Sequence, residues 1–251
     1  MILRYPGSKN GFKQQLDKHL PKDVRSVASP FFGGGAYEFH LARAGLRVVG
    51  ADLNGTLVNF WNAAHVMPRE LANAVSELGQ DMSREKFHEL RKELMASTGE
   101  SLYAAASFFV LNRTSYNGIM RYYAPNANRF TTSCIERLRG LEWPESLEPL
   151  RSCDAFDFLE QHPDKFWFLD PPYYAVKGGL YGLDASDHVF DHVRLARFLE
   201  SHPQARWMLT YDDHPDVRDM YAFADIHPID VHYSSRHTNK KEIVITNKKK
   251  E

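Results

Sequence analysis

The sequence predicts an α/β fold, a mostly parallel sheet flanked by helices with an inserted, mostly helical module. Three observations predict it. Short apolar runs alternate with segments of helical periodicity, the pattern of a parallel sheet with crossover helices. Several of those runs end in a glycine-rich corner or in an acid, and such sheets bind ligands beyond the carboxyl ends of their strands. The middle of the chain, from Trp61 to about Leu111, breaks the alternation and reads as helix throughout.

The elements follow in order. "RSVASPFFGGGA" reads as a strand and a tight turn; "AYEFHLARAG" then has helical spacing and a glycine stop. "LRVVGADL" is a second strand ending in Asp52. The insertion is expected over residues 58–145, leaving 1–57 and 146–251 as the main domain. Within it "REKFHELRKELMAS" is amphipathic, an ordinary surface helix. "NRTSYNGIMRYYAPNANRF" ends the helical run. Its Tyr116-Asn117-Gly118-Ile119 is a hairpin-turn signal, placing a hairpin near residues 112–130. "KFWFLD" and "RWMLTY" are further strands, with a helix in "SDHVFDHVRLARFLESHP" between them. "DIHPIDVHYSS" and "KEIVITN" form a closing hairpin.

Bulk properties exclude some roles. With 251 residues and 43% apolar content the chain has ample material for a packed core. A net charge of −1 supplies no overall basic field, though a local patch suffices for nucleic acid. Between Asn112 and Gly140 lie Arg113, Arg121, Arg129, Arg137 and Arg139 against one acid, Glu136; charge alone reads equally well as a solvated face. Cys134 and Cys153 form neither a ligand pattern nor a disulfide framework. No apolar run approaches the roughly 20 residues of a membrane span. A soluble protein of a reducing compartment is expected, with no membrane partner.

The chemistry lies at the strand ends. Gly33, Gly34 and Gly35 follow a strand and open a helix, permitting positive φ and close approach of a ligand to the backbone. They match neither a dinucleotide fingerprint nor a phosphate loop, and a tight structural turn alone could account for them. Asp52 follows at the end of the next strand, where an acid accepts from ribose hydroxyls; capping the next helix is the structural alternative. Together they suit an adenosine-bearing ligand. "FWFLDPPYY" is more specific. Pro171 and Pro172 have fixed φ and no N–H. The Asp170 carboxylate and the Pro171 carbonyl thus form a rigid pair of acceptors with no donor, suited to an amino group. Tyr173 adds a face for an aromatic ring. Transfer of a methyl group to the amine of a base fits these groups.

These motifs resemble, in order and almost end to end, the Dam-type (D12 class) DNA adenine-N6 methyltransferases. "RYPGSK" resembles the family's N-terminal cofactor-contacting motif, "SPFFGGGA" its glycine-rich motif and "GADLNGTLVNFWN" its ribose-binding segment. "LNRTSYNGIMRY" resembles the start of its DNA-contacting hairpin, "CDAF" its adenine-contacting segment and "FLDPPYY" its catalytic motif. "LTYDDHPDVRDMY" and "KEIVITN" match later motifs. The resemblance implies a Rossmann-like S-adenosylmethionine-dependent methyltransferase sheet with an inserted DNA-recognition module, acting on double-stranded DNA. It implies a cofactor site of Tyr5, Pro6, Gly7, Lys9, Phe32, Gly33, Gly34, Gly35, Asp52 and Asp170, with Asp154 and Phe156 meeting the cofactor's adenine. Asp170, Pro171, Pro172 and Tyr173 would receive a flipped-out target adenine. Arg113, Tyr116, Asn117 and Arg121 are the expected DNA contacts, arginine being the usual reader of guanine.

The chain departs from the family at "RYYAPNANRF", where a glycine-bearing loop is common, and at "TYDDHP", which replaces a serine–asparagine element. The roles of Tyr211 and Asp212 there, and of Tyr174, are unassigned. His188 and His192 share metal-ligand spacing, but no third ligand accompanies them and no metal is expected. The same chemistry on cytosine N4, an RNA base or a protein glutamine stays open, as does a non-enzymatic DNA-binding relative. A monomer acting at the nucleoid, or a virus-encoded counterpart, is expected, with dimerisation on DNA open.

Overall fold

A computed structural model describes residues 2–5, 7–97, 100–127, 129–175, 190–231 and 240–248. A seven-stranded sheet has the order β3-β2-β1-β4-β5-β7-β6. Its strands are β1 (Ser26–Ser29), β2 (Arg47–Asp52), β3 (Arg151–Ser152), β4 (Phe166–Leu169), β5 (Trp207–Asp212), β6 (Asp225–Val231) and β7 (Lys240–Thr246). The first five run parallel; β7 enters antiparallel to β5 and pairs with β6 as the expected closing hairpin. Pro228 breaks no ladder needed further out, because β6 is the edge strand.

Alternation along each strand feeds two cores. Phe166 and Phe168 face one side of the sheet, Trp167 and Leu169 the other. The second side is covered by α8 (Ala155–Glu160), α9 (His192–Ser201) and α10 (Pro215–Met220), around Trp167, Trp207 and Leu199. The first side is covered by α1 (Lys13–Leu16), α2 (Ala36–Arg43) and the helical middle of the chain. That middle comprises α3 (Gly55–Val66), α4 (Pro68–Leu78), α5 (Arg84–Ala96), α6 (Leu102–Thr114) and α7 (Thr132–Arg139). Side-chain caps from Asn54, Ser83 and Ser101 start α3, α5 and α6, supplying acceptors to otherwise unpaired first-turn amides. From Ala104 onward the helix α6 is almost wholly apolar, "AAASFFVL", and runs buried through the middle of this layer.

The helical middle does not build a core of its own. Phe60, Phe108, Phe109 and Leu138 belong to the same apolar cluster as Val27, Val48 and Phe168 of the sheet. The expected division at residue 58 falls inside α3, whose Trp61 indole N–H donates to the Gly33 carbonyl at 2.9 Å. One helix is therefore shared by the insertion and the glycine turn.

The expected hairpin keeps its turn and loses its strands. Asn117 and Gly118 both have positive φ, 52° and 78°, and Ile119 N–H donates to the Tyr116 carbonyl at 3.1 Å, the tight turn that Asn-Gly favours. Its flanks are held by an isolated antiparallel bridge between Ser115 and Tyr123 rather than by a ladder.

Candidate active site

The carboxyl ends of β1, β2, β4 and β5 bring the sequence-predicted residues toward one edge. Gly33 and Gly35 adopt positive φ, 49° and 64°, conformations that favour glycine, and Gly35 caps α2. The turn is closely packed from the N-terminal segment. A Cβ on Gly33 would lie 2.8 Å from Tyr5 Cε1, and one on Gly34 2.9 Å from Tyr5 Cβ. Tyr5 therefore rests on the glycine turn. Phe32 does not face the edge: its ring is buried edge-on against Phe39 and Trp61. Apolar burial turned it inward, so a side-chain role toward a cofactor is withdrawn. Pro6 lies outside the described residues.

Asp52 joins the turn to the next helix. Its two oxygens accept from Gly33 N–H and Asn54 N–H, both at 2.9 Å. The helix cap itself is Asn54, which accepts from Leu57 N–H. Burial pushes Asp52 up to about 6 against these two amides. Asp154 follows β3, which pairs with the end of β2. It caps α8 by accepting from Phe156 N–H at 2.9 Å. The Phe156 ring is buried, with the Arg194 guanidinium 3.9 Å from its centre.

The centre is Asp170, where β4 ends. Lys9, only 2% exposed, places its ammonium 2.5 Å from Asp170 Oδ1. The same nitrogen donates to the Gly7 carbonyl at 2.8 Å and the Tyr173 hydroxyl at 2.9 Å, and lies 4.8 Å from the Tyr173 ring centre. Thr210, on the neighbouring strand β5, also donates to Asp170 Oδ1 at 2.7 Å. Pro171 is buried directly behind the acid, with Pro172 half-buried. Tyr173 is 8% exposed, with the Lys9 ammonium over its ring. Its hydroxyl donates to Glu242 at 2.7 Å.

One acid at this centre, Glu38, carried no motif in the sequence. Glu38 is buried within the first turns of α2 and accepts from the Ser29 hydroxyl at 2.8 Å. Burial pushes it up to about 8, with nearby Asp170 adding to the rise and Ser29 and Lys9 opposing it. An acid inside the apolar periodicity of "AYEFHLA" was its signal. Asp212 ends β5, and its oxygens accept from Tyr174 N–H at 2.9 Å and Ala175 N–H at 3.0 Å, pinning the corner after the prolines. Tyr174 in turn donates to Asp216 at 2.8 Å and packs against His214 and His192. Tyr211 is buried and hydrogen-bonded to His192 at 2.7 Å. His188 lies outside the described residues.

The expected DNA contacts separate. Arg113 is 6% exposed and donates to the Ile2 carbonyl at 2.5 Å, with its guanidinium over Phe109. It sits on the last turn of the buried helix α6, which directs it inward, and it is withdrawn as a DNA contact. Its neighbour Asn112 accepts from Arg4 N–H at 2.9 Å and donates to the Arg4 carbonyl at 2.7 Å and the Gly118 carbonyl at 3.2 Å. Tyr116 stands at the surface of the 115–123 loop with Asn117, and Arg121 is half-exposed.

Comparison with known proteins adds the following. The profile of one family, D12 class N6 adenine-specific DNA methyltransferase, matches residues 5–235. A DNA N-6-adenine-methyltransferase of Escherichia phage P1 is 25% identical over 240 residues, covering 88% of this chain and 31% of that protein. The type II methyltransferase M.MjaIII of Methanocaldococcus jannaschii is 23% identical over 78% of each chain. The DNA adenine methylase of Escherichia coli is 29% identical over 48% of this chain and 43% of its own length. The chain thus spans less than half of two of these three relatives.

Proposed function

Since the chain belongs to the D12 class of N6 adenine-specific DNA methyltransferases, we propose that it transfers a methyl group from S-adenosylmethionine to N6 of an adenine flipped out of duplex DNA. One observation carries the reading. The Lys9 ammonium sits 2.5 Å from Asp170 and 4.8 Å from the Tyr173 ring centre, so the corner already receives a nitrogen bearing hydrogens. An adenine amine on Asp170 takes the place that the Lys9 ammonium holds here.

The lining suits the donor. Asp52 and Asp154 are acceptors for ribose hydroxyls and an adenine amine, and the Asp170 carboxylate favours a cation. S-adenosylmethionine, when bound, supplies an electrophilic methyl carbon on a sulfonium sulfur. The residues then divide the work. Lys9 withdraws from Asp170. Asp170 and the Pro171 carbonyl accept the two amine hydrogens, leaving the nitrogen lone pair directed out of the ring plane. Tyr173 holds the base by its face. Contacts to DNA offset the few kcal/mol lost in unstacking. Residues 58–145 serve as the recognition module, with Tyr116, Asn117 and Arg121 toward the duplex and Arg113 as an internal tie.

Labelled methyl transfer to unmethylated duplex DNA, followed by mapping of N6-methyladenine, tests this. Wild-type protein labels adenine and Asp170→Ala does not. Label confined to RNA or protein, or an active Asp170→Ala protein, overturns the reading.

A further inference from the structure

We propose that Glu242, on the antiparallel strand β7, is a positioning residue for methyl transfer that acts through the Tyr173 hydroxyl. The inference rests on the function proposed above and deepens it. Glu242 is 1% exposed and is followed by Ile243, Val244 and Ile245, all fully buried. A carboxylate in such a strand costs several kcal/mol unless hydrogen-bonded, and sheet pairing does not call for one. Its Oε2 accepts from the Tyr173 hydroxyl at 2.7 Å. That strand thereby reaches, from 69 residues further along the chain, into the catalytic corner.

The geometry makes Glu242 the partner that stays. The Tyr173 hydroxyl donates to Glu242 and accepts from Lys9 at 2.9 Å. Once an adenine amine replaces Lys9 on Asp170, the contact from Lys9 is lost and the bond to Glu242 still holds the ring. The bond also has an electronic consequence. During transfer the amine lone pair forms the bond to the methyl carbon while the carbon–sulfur pair remains on sulfur. Positive charge passes to the base until a proton leaves to water. A phenol that donates to a carboxylate has a more electron-rich ring, and its face favours that cation over the neutral adenine. Stabilisation confined to the charged state raises kcat and leaves DNA binding nearly unchanged.

Kinetics on unmethylated duplex DNA with Glu242→Gln, Tyr173→Phe and the double variant test the proposal. Glutamine keeps the volume and an acceptor but not the charge. It should lower kcat about tenfold, since a charge-assisted hydrogen bond is roughly twice as strong as a neutral one. KM for DNA should stay within about twofold. The double variant should be no slower than Tyr173→Phe alone. A Glu242→Gln kcat within twofold of wild type, a change confined to KM, or a double variant slower than Tyr173→Phe by the full Glu242→Gln factor overturns it. Should Glu242→Gln fail to unfold cooperatively, Glu242→Leu combined with Tyr173→Phe removes both ends of the bond. A rate equal to that of Tyr173→Phe supports the proposal and a further drop overturns it. A wild-type protein inert on DNA overturns the proposed function as well, whereas an active wild type matched by Glu242→Gln overturns this inference alone.

Discussion

Asp212→Asn isolates the clamp on the catalytic corner. In the wild type both carboxylate oxygens hold successive amides, Tyr174 N–H at 2.9 Å and Ala175 N–H at 3.0 Å. Asparagine keeps one acceptor and turns an NH2 group toward the other amide. The two bonds are lost in different ways. Ala175 is exposed, so water takes over its amide at a cost of about 1 kcal/mol. Tyr174 is half-buried, and its bond falls from charge-assisted to neutral. Taking about 1 kcal/mol for each change gives about 2 kcal/mol in the ordering of the corner. If all of that is needed in the transition state, the methyl-transfer rate drops about 30-fold. The assay is a single-turnover reaction with labelled S-adenosylmethionine and unmethylated duplex DNA, alongside thermal unfolding. A rate within threefold of wild type, in a protein that unfolds cooperatively at the wild-type temperature, refutes the clamp.

Lys9→Met leaves Asp170 without its buried cation and should cost about 3 kcal/mol in urea unfolding; adding Asp170→Asn should recover about 2 kcal/mol of that loss, and strict additivity would count against the pair. Glu38 is raised to about 8 by burial, so its contribution to stability is full below its unfolded value and fades as pH rises through 8. Wild-type stability relative to Glu38→Gln should therefore fall between about pH 4.5 and 8, and a pH-independent difference in melting temperature would contradict the assignment. Gly33→Ala forces a Cβ to 2.8 Å from Tyr5 at positive φ and should weaken S-adenosylmethionine binding in calorimetry by about tenfold. Tyr5→Ala in the same chain relieves the clash but not the backbone strain, so the melting temperature lost in Gly33→Ala should recover in part; no recovery would mean that the clash is irrelevant.

What the sequence made legible is what acts over a few residues. A short apolar run ending in an acid placed β4, the glycines marked a turn with positive φ, and Asn117-Gly118 marked a second one. The acid-proline corner could be read because proline fixes its own geometry. Contacts between distant segments were not legible. Lys9 and Asp170 meet across most of the chain, and Tyr173 and Glu242 across 69 residues. Arg113 shows the physical reason. Counted with its neighbours it looked like part of a basic surface. Yet the run "AAASFFVL" before it is apolar on every face, and a helix buried all round carries its last turn inward too. The ladder expected beside Tyr116 failed for a related reason. The flanks of that turn meet in the isolated Ser115–Tyr123 bridge, while Arg4 and Asn112 hold Ser115 and Gly118 from outside it.

The tie between residues 2–5 and the end of α6 bears on how such proteins can be recombined. Arg113 grips the Ile2 carbonyl, Asn112 brackets Arg4 through both its amide N–H and its carbonyl, and Gly118 packs against the Arg4 carbonyl so closely that no Cβ fits. Tyr5 and Lys9 follow directly on that gripped segment. The piece that would choose a DNA sequence is thus not a cassette to be lifted out at its two chain crossings. A chimera taking residues 58–145 from a relative inherits new docking groups for its own amino terminus. It should work only when residues 2–9 travel with the graft.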